Sequence, residues 1–310
     1  FTMGAGDDKV TVGNVNMSGT IAMGAGTDTL ISNHAGADVI DATVTGVSAI
    51  EIVEAKELDV SVAQLATFNG TAGFSVTGVA GNAVETVKVL GLSTTADTIV
   101  ASAISFTNAS AILIGGNGVD VITGSGGNDY LTGSAGNDID TLSGGLGNDT
   151  YAILDEIGVD VYVEAASGGT DTILFGDAES LVGDKVGTTA AGAAANGSLT
   201  NFEQIVVDTG TTATFSSAQL TGTSLAFNQL AAGTATVAVT PTAASGVNTI
   251  DLGSLTIASF TFVNADGEFD TGVAFDAVDV VTIGGGTVVD TITTMATVVN
   301  NVDGGTGADL

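Results

Sequence analysis

Gly115-Gly116-Asn117-Gly118-Val119-Asp120-Val121-Ile122-Thr123 runs without a break into Gly124-Ser125-Gly126-Gly127-Asn128-Asp129-Tyr130-Leu131-Thr132. Both nonapeptides read G-G-x-G-x-D-x-U-x, with U a large apolar residue, apart from local departures. A third unit opens as Gly133-Ser134-Ala135-Gly136-Asn137-Asp138 and carries two extra residues before Leu142-Ser143. The fourth, Gly144-Gly145-Leu146-Gly147-Asn148-Asp149-Thr150-Tyr151-Ala152, regains the period. Glycines in the first half of each unit allow a tight turn, and the x-U-x triplet that follows makes a short strand with one apolar side chain. Such a strand cannot bury its apolar residue alone, so units must stack. The reading is an all-β chain, a parallel β-solenoid of the β-roll or β-helix kind.

Outward from this array the same grammar thins. Partial copies stand at Gly4 to Val10, Gly24 to Leu30, Gly36 to Ile40, Gly168 to Ile173 and Gly304 to Leu310, with Asp8, Asp28, Asp38, Asp171 and Asp309 as their acids. A longer period also shows: Ile50-Glu51-Ile52-Val53 followed by Val62-Ala63-Gln64-Leu65 recurs as Phe202-Glu203-Gln204-Ile205-Val206-Val207 followed by Ser217-Ala218-Gln219-Leu220, an offset of roughly 150 residues. Between these, segments such as Val84 to Val89 and Ala235 to Val239 are β-branched and bounded by Gly, Asn and Asp, which reads as strand. Helix is allowed for a turn or two only at Ile50 to Leu58 and Ala178 to Lys185, and 186–200 reads as an Ala/Gly/Thr-rich loop. The organisation expected is a solenoid module over 1–114, the calcium-type array over 115–152, a second module over 153–303 and the start of a further repeat at 304–310. Both termini read as repeats cut partway, so the sequence reads as an excerpt.

Composition narrows the partners. The chain has 35 Asp plus Glu against 4 Lys plus Arg, a net charge of −31, no Cys and no Trp. Nucleic acid and anionic membranes need clustered basic residues, so cations are the implied partners. A mean hydropathy of +0.47 argues against a disordered acidic tail. The absence of Cys removes both a disulfide framework and thiolate metal sites. No apolar run reaches the roughly 18 residues that a helical membrane span requires.

The array itself needs a cation. Alternate units lie on the same edge of the coil, which sets Asp120 over Asp138 and Asp129 over Asp149. Two carboxylates about 5 Å apart repel by roughly 3 kcal/mol at an effective dielectric near 20. A divalent ion between turns reverses that sign, and carboxylates with backbone carbonyls favour Ca²⁺ over Mg²⁺ or zinc. His34, the single histidine, reads as a polar loop residue, and Glu51, Glu85 and Glu203 as structural carboxylates of the coil.

These residues resemble the repeats-in-toxin (RTX) calcium-binding β-roll family, exported by type I secretion. The resemblance implies Ca²⁺ ligation by Asp120, Asp129, Asp138 and Asp149 with the turn residues Gly116, Gly118, Gly127, Gly136, Gly145 and Gly147. The mixture of RTX clusters with Thr/Ala/Val-rich strand modules further resembles Gram-negative surface-layer proteins and giant RTX adhesins. The implied protein is secreted, extracellular and at the cell surface, structural rather than enzymatic. It would self-assemble into an oligomer, lattice or filament, with cell-surface polysaccharide as a further partner. The alternatives are a giant adhesin and a fragment of an RTX-bearing, polysaccharide-modifying enzyme. The chain carries no H-E-x-x-H, G-x-S-x-G or Walker pattern.

Overall fold

A computed structural model describes residues 1–240 apart from 14–15, 54–55, 80–84, 92–95, 135, 137, 155–158, 167, 177–180, 183, 188–192, 222 and 231–233, and beyond 240 the backbone of the strands. Contacts divide the chain into two compact units. The first is Phe1–Gly133 with Leu142–Thr150 and Val263–Asp270; the second is Ser134–Thr141 with Tyr151–Phe262 and Thr271–Leu310. Both are built of stacked parallel strands, with two short helices among the described residues.

The first unit holds β1 (Lys9–Val12), β2 (Gly19–Ala22), β3 (Thr29–Ser32), β4 (Ala37–Asp38), β5 (Ala42–Thr45), β6 (Ala49–Ile52), β7 (Glu57–Ser61), α1 (Val62–Asn69), β8 (Ser75–Gly78), β9 (Glu85–Leu90), β10 (Thr98–Val100), β11 (Ser105–Thr107), β12 (Ala109–Ile114), β13 (Val121–Thr123), β14 (Asp129–Thr132) and most of β15 (Thr141–Ser143). Rows β1-β3-β6-β8-β11, β4-β7-β9-β12-β14 and β10-β13-β15 form three sheets, and β2 pairs with β5. In chain order the strands visit these rows in turn, which is the signature of coils. From β12 to β15 the chain alternates between two rows only, so the nonapeptide array is a two-sided coil.

Parallel pairing in register stacks like on like. Val10, Leu30, Ile50 and Val76 make one apolar column, and Val60, Val89, Leu113 and Leu131 another. All are at most 9% exposed. Each such Leu, Ile or Val contributes about 1.5–3 kcal/mol by burial, which is how a chain poor in aromatics sustains a thin core. The four U residues of the array, Ile122, Leu131, Leu142 and Tyr151, are fully buried.

The expected helical turn at 50–58 is not there. Ala49–Ile52 and Glu57–Ser61 alternate half-buried and buried residues with a period of two, so they are strands, β6 and β7. The helix comes next, as α1. Ser61 caps it: the Gln64 N–H donates to Ser61 Oγ at 3.3 Å, and the Ser61 N–H donates to Gln64 Oε1 at 2.8 Å. Gln64 Nε2 then donates to Val39 O and Ala42 O at 2.7 and 2.8 Å, tying the helix to the chain between β4 and β5.

The second unit continues with β16 (Thr150–Ile153), β17 (Val161–Val163), β18 (Thr172–Phe175), β19 (Lys185–Gly187), β20 (Ala194–Ala195), β21 (Gln204–Val207), β22 (Thr212–Ser216), α2 (Ser217–Leu220), β23 (Ala226–Gln229) and β24 (Thr236–Thr240). Rows β16-β18-β21-β23 and β17-β19 run through it, and β20 returns antiparallel on β19, inside the stretch expected to be a loop. Of the helical turn expected at 178–185, residues 178–180 and 183 lie outside the described residues and Lys185 opens β19; 304–310 lies outside them too. Strand β22 pairs with β24, which continues to Val280–Gly284 and Val299–Asp303. The long repeat is structural here: the Ser216 N–H donates to Gln219 Oε1 at 2.8 Å and Gln219 Nε2 to Leu181 O at 2.7 Å, as Ser61 and Gln64 do in the first unit. Ile173, Ile205 and Phe227 stack in register, and Phe215 lies edge-on between Phe175 and Phe227.

Candidate metal centre

The turn Gly124 to Asp129 carries the chain from β13 to β14. Asp129 is fully buried, and its carboxylate bends back over its own turn, accepting from the Ser125 N–H and from Ser125 Oγ at 3.0 and 2.9 Å. Oδ1 also accepts from the Ala111 N–H, one coil earlier, at 3.3 Å. Twenty residues on, the turn Gly144 to Asp149 repeats the arrangement beneath it. Asp149 Oδ1 accepts from the Asp129 N–H at 2.9 Å, and Asn128 Oδ1 from the Asn148 N–H at 2.8 Å. Asp129 therefore stacks with Asp149, the register expected from the sequence.

Carbonyls close the gap between these turns. Ser125 O lies 2.6 Å from where a Cβ on Gly145 would stand, and a Cβ on Gly147 would collide with Gly127 O. Both glycines have positive φ, +108° and +114°, so space and conformation each exclude a side chain. Carbonyl oxygens of one turn thus lie against the glycines of the next, whose acid, Asp149, is buried. Burial pushes the Asp129 carboxyl up to about 7, against the hydrogen bonds from Ser125 and Ala111, which favour the ion. A buried oxygen-only donor set with costly negative charge fits Ca²⁺, which takes six to eight oxygens at flexible geometry.

The opposite edge corrects the sequence reading. Gly124 N–H donates to Ser143 O, and a Cβ on Gly124 would collide with Gly144 O, so the offset between these coils is twenty residues. In the third unit it is Asp140, not Asp138, that leads the strand into β15. Asp138 is exposed while Asp140 is buried, because the two extra residues of the third unit lengthen its turn and move the strand-leading acid along by two. In the first unit Asp97 N–H donates to Asp120 Oδ1 at 2.7 Å. In the second, Asp140 N–H donates to Asp160 Oδ1 at 2.8 Å and Asp160 N–H to Asp184 Oδ1 at 3.1 Å. Asp97, Asp160 and Asp184 were missed because their turns lack the glycine pattern, and Asp140 because two extra residues precede it. The signal they retain is shorter: each is followed at the second position by a buried apolar residue, Ile99, Leu142, Tyr162 and Val186.

The remaining expected ligands scatter. Gly116 and Gly118 have positive φ in the turn before Asp120, Gly127 donates its N–H to Ser125 Oγ at 3.0 Å, and Gly136 lies beside the exposed Asp138. Asp38 sits in β4 and accepts from the Ile40 N–H at 2.8 Å. Its register partner is Asp59, whose carboxyl is pushed up to about 6 by burial and by Glu57, with Lys88 opposing and Asp38 adding to the rise. Asp171 is buried, and its N–H donates to Glu203 Oε2 at 2.8 Å. Glu164, which sequence reasoning passed over, brings a carboxylate oxygen within 4.8 Å of one on Asp171 and accepts from the Tyr151 hydroxyl and the Ala165 N–H. Burial raises the pKa of both Glu164 and Glu203. Asp309 lies outside the described residues. His34 is exposed, Glu51 pairs with Lys9 at 3.3 Å, and Glu85 is buried.

Fold and site together define a class: a parallel β-solenoid whose stacked glycine turns present oxygen ligands between coils. Residues 114–151 match the RTX calcium-binding nonapeptide repeat, in four copies. This segment is an RTX array, and RTX nonapeptide repeats bind calcium and occur in secreted proteins. No curated protein and no solved structure matches the chain. No helix among the described residues is long and apolar enough to cross a membrane.

Proposed function

We propose that the protein is an extracellular, calcium-stabilised structural component of a cell surface, a self-assembling surface layer or fibre rather than an enzyme. The observation that carries this reading is where the carboxylates sit. Asp129 and Asp149 in one unit, and Asp140, Asp160 and Asp184 in the other, are buried between successive coils and joined to a neighbouring coil by backbone N–H bonds. An ion held there acts on the coil itself. Turns of this kind respond at the calcium concentrations found outside cells, about 10⁻⁴ to 10⁻³ M for extracellular modules.

A contact surface accompanies the ladder. In the second unit Ile139, Val159 and Val182 are 48%, 38% and 42% exposed along the edge that carries Asp140, Asp160 and Asp184. Apolar residues repeated once per coil give a neighbouring copy a row to pack against, and bound calcium lowers the charge repulsion that opposes contact. Electron microscopy of the protein at millimolar calcium and in chelator tests the reading. Sheets or filaments that dissolve on chelation are expected. Dispersed monomers at every calcium level, with turnover of a polysaccharide, would move the assignment to the enzyme alternative.

A further inference from the structure

The turns Gly4 to Asp8 and Gly24 to Asp28 lie outside the RTX array and lack the first glycine of the nonapeptide, which is Met3 in one and Met23 in the other. Their geometry nevertheless repeats that of the array contact by contact. Asp8 N–H donates to Asp28 Oδ1 at 2.9 Å, the same bond and distance as Asp129 to Asp149. Thr27 N–H donates to Asp7 Oδ1 at 2.8 Å, as Asn148 does to Asn128. A Cβ on Gly24 would collide with Gly4 O and one on Gly26 with Gly6 O, which is the relation of Gly145 to Ser125 O and of Gly147 to Gly127 O. The offset is again twenty residues. Met23 is fully buried, so the substitution for glycine adds to the core and leaves the turn's oxygens in place.

A second observation points to a ligand. Asp28 is fully buried, and its Oδ2 has no hydrogen-bond partner. Since Oδ1 of the same carboxylate accepts from Asp8, the group faces the gap between the two turns, and Oδ2 is held there with it. Asp8 likewise has a buried Oδ2 without a partner. A buried carboxylate oxygen without a hydrogen-bond donor is costly unless a cation supplies the missing charge.

We propose that residues 4–8 and 24–28 form a second calcium site, with Asp28 and Asp8 as carboxylate ligands and Gly4 O and Gly6 O as carbonyl ligands. The inference rests on calcium binding by the RTX array, from which the geometry is read across. An ion bound there would fasten the first coils of the unit, β1 to β3, as ions bound in the array would fasten its own strands.

Calorimetric calcium titration of the 310-residue chain is compared with D28N and D149N. Asn keeps the acceptor for Asp8 N–H and removes only the orphaned anionic oxygen, so D28N should bind at least one ion fewer than the parent. Hydrogen exchange of the parent with and without calcium localises the effect independently of any variant. Calcium should slow exchange at 9–12 and 29–32 as well as at 121–132, and in D28N the first effect should vanish while the second stays. Equal stoichiometry in D28N and the parent, with D149N binding fewer ions, overturns the second site and leaves the array reading standing. Protection by calcium of 121–132 alone does the same. A parent chain that binds no calcium overturns both.

Discussion

At the scale of single residues, the chain places carboxylates where an unliganded protein would avoid them. Asp129 shows the consequence most directly, since burial raises its carboxyl to about 7 in the folded state from an ordinary value of 3.8. In the absence of calcium the folded form then holds a proton that the unfolded form has lost between these two values. Linkage gives the sign: apo stability falls as pH rises from about 4 to about 7 and is level above it. Thermal unfolding in chelator should show this decline, and D129N should lack the part due to this group; a melting temperature that rises over the same range would contradict it. Calcium binds the ionised form, so its apparent affinity should rise over that window.

Among the elements, α1 and α2 interrupt the strand rows and are each held by one glutamine. Gln64 serves both the start of α1, through Ser61 N–H, and the carbonyls of Val39 and Ala42. Replacement by Leu keeps the bulk but strands three buried polar groups, at about 1–3 kcal/mol for each left unsatisfied. Denaturant unfolding of Q64L should show a loss of this order. The same change at Gln219 in α2 should be damaging for the same reason, whereas Thr67→Ala, on the exposed face of α1, should be close to neutral. A near-neutral Q64L would show that the helix is held by its apolar face, through Leu65 and Phe68, and not by the glutamine.

For the molecule as a whole, assembly is expected to depend on calcium and on the exposed apolar row separately. Ile139→Asp combined with Val159→Asp alters no residue that accepts a strand-leading N–H bond, so calcium stoichiometry should stay as in the parent. Sheets or filaments should nevertheless be lost, read by electron microscopy and by light scattering at fixed calcium. Assembly that survives the double change would place the contact on another face. In chelator the parent should lose strand content over 115–152 as well as assembly, because repulsion among buried carboxylates is then uncompensated.

The nonapeptide array was legible in the sequence because its chemistry is local: glycines that set a turn, an acid that closes it and one apolar residue that anchors the strand all fall within nine positions. From that follow the all-β solenoid, the preference for calcium, and the stacking of Asp129 with Asp149. The strand-leading acid of the third unit was not legible. Two extra residues in the third unit shift the acid from 138 to 140, and only the stack, by aligning Gly124 with Gly144, decides which carboxylate is turned inward. Asp97, Asp160 and Asp184 were hidden for a related reason, since stacking on a well-formed neighbour lets a turn lose its glycines while the strand-leading acid keeps its bond to a neighbouring coil. Helix α1 was misplaced because local pattern could not tell where the strands β6 and β7 end, whereas the Ser61 and Gln64 cap, bonded to a segment more than twenty residues away, fixes the start. What lies within one coil the sequence determines by itself; what is shared between coils depends on register, and register exists only once the coils are stacked.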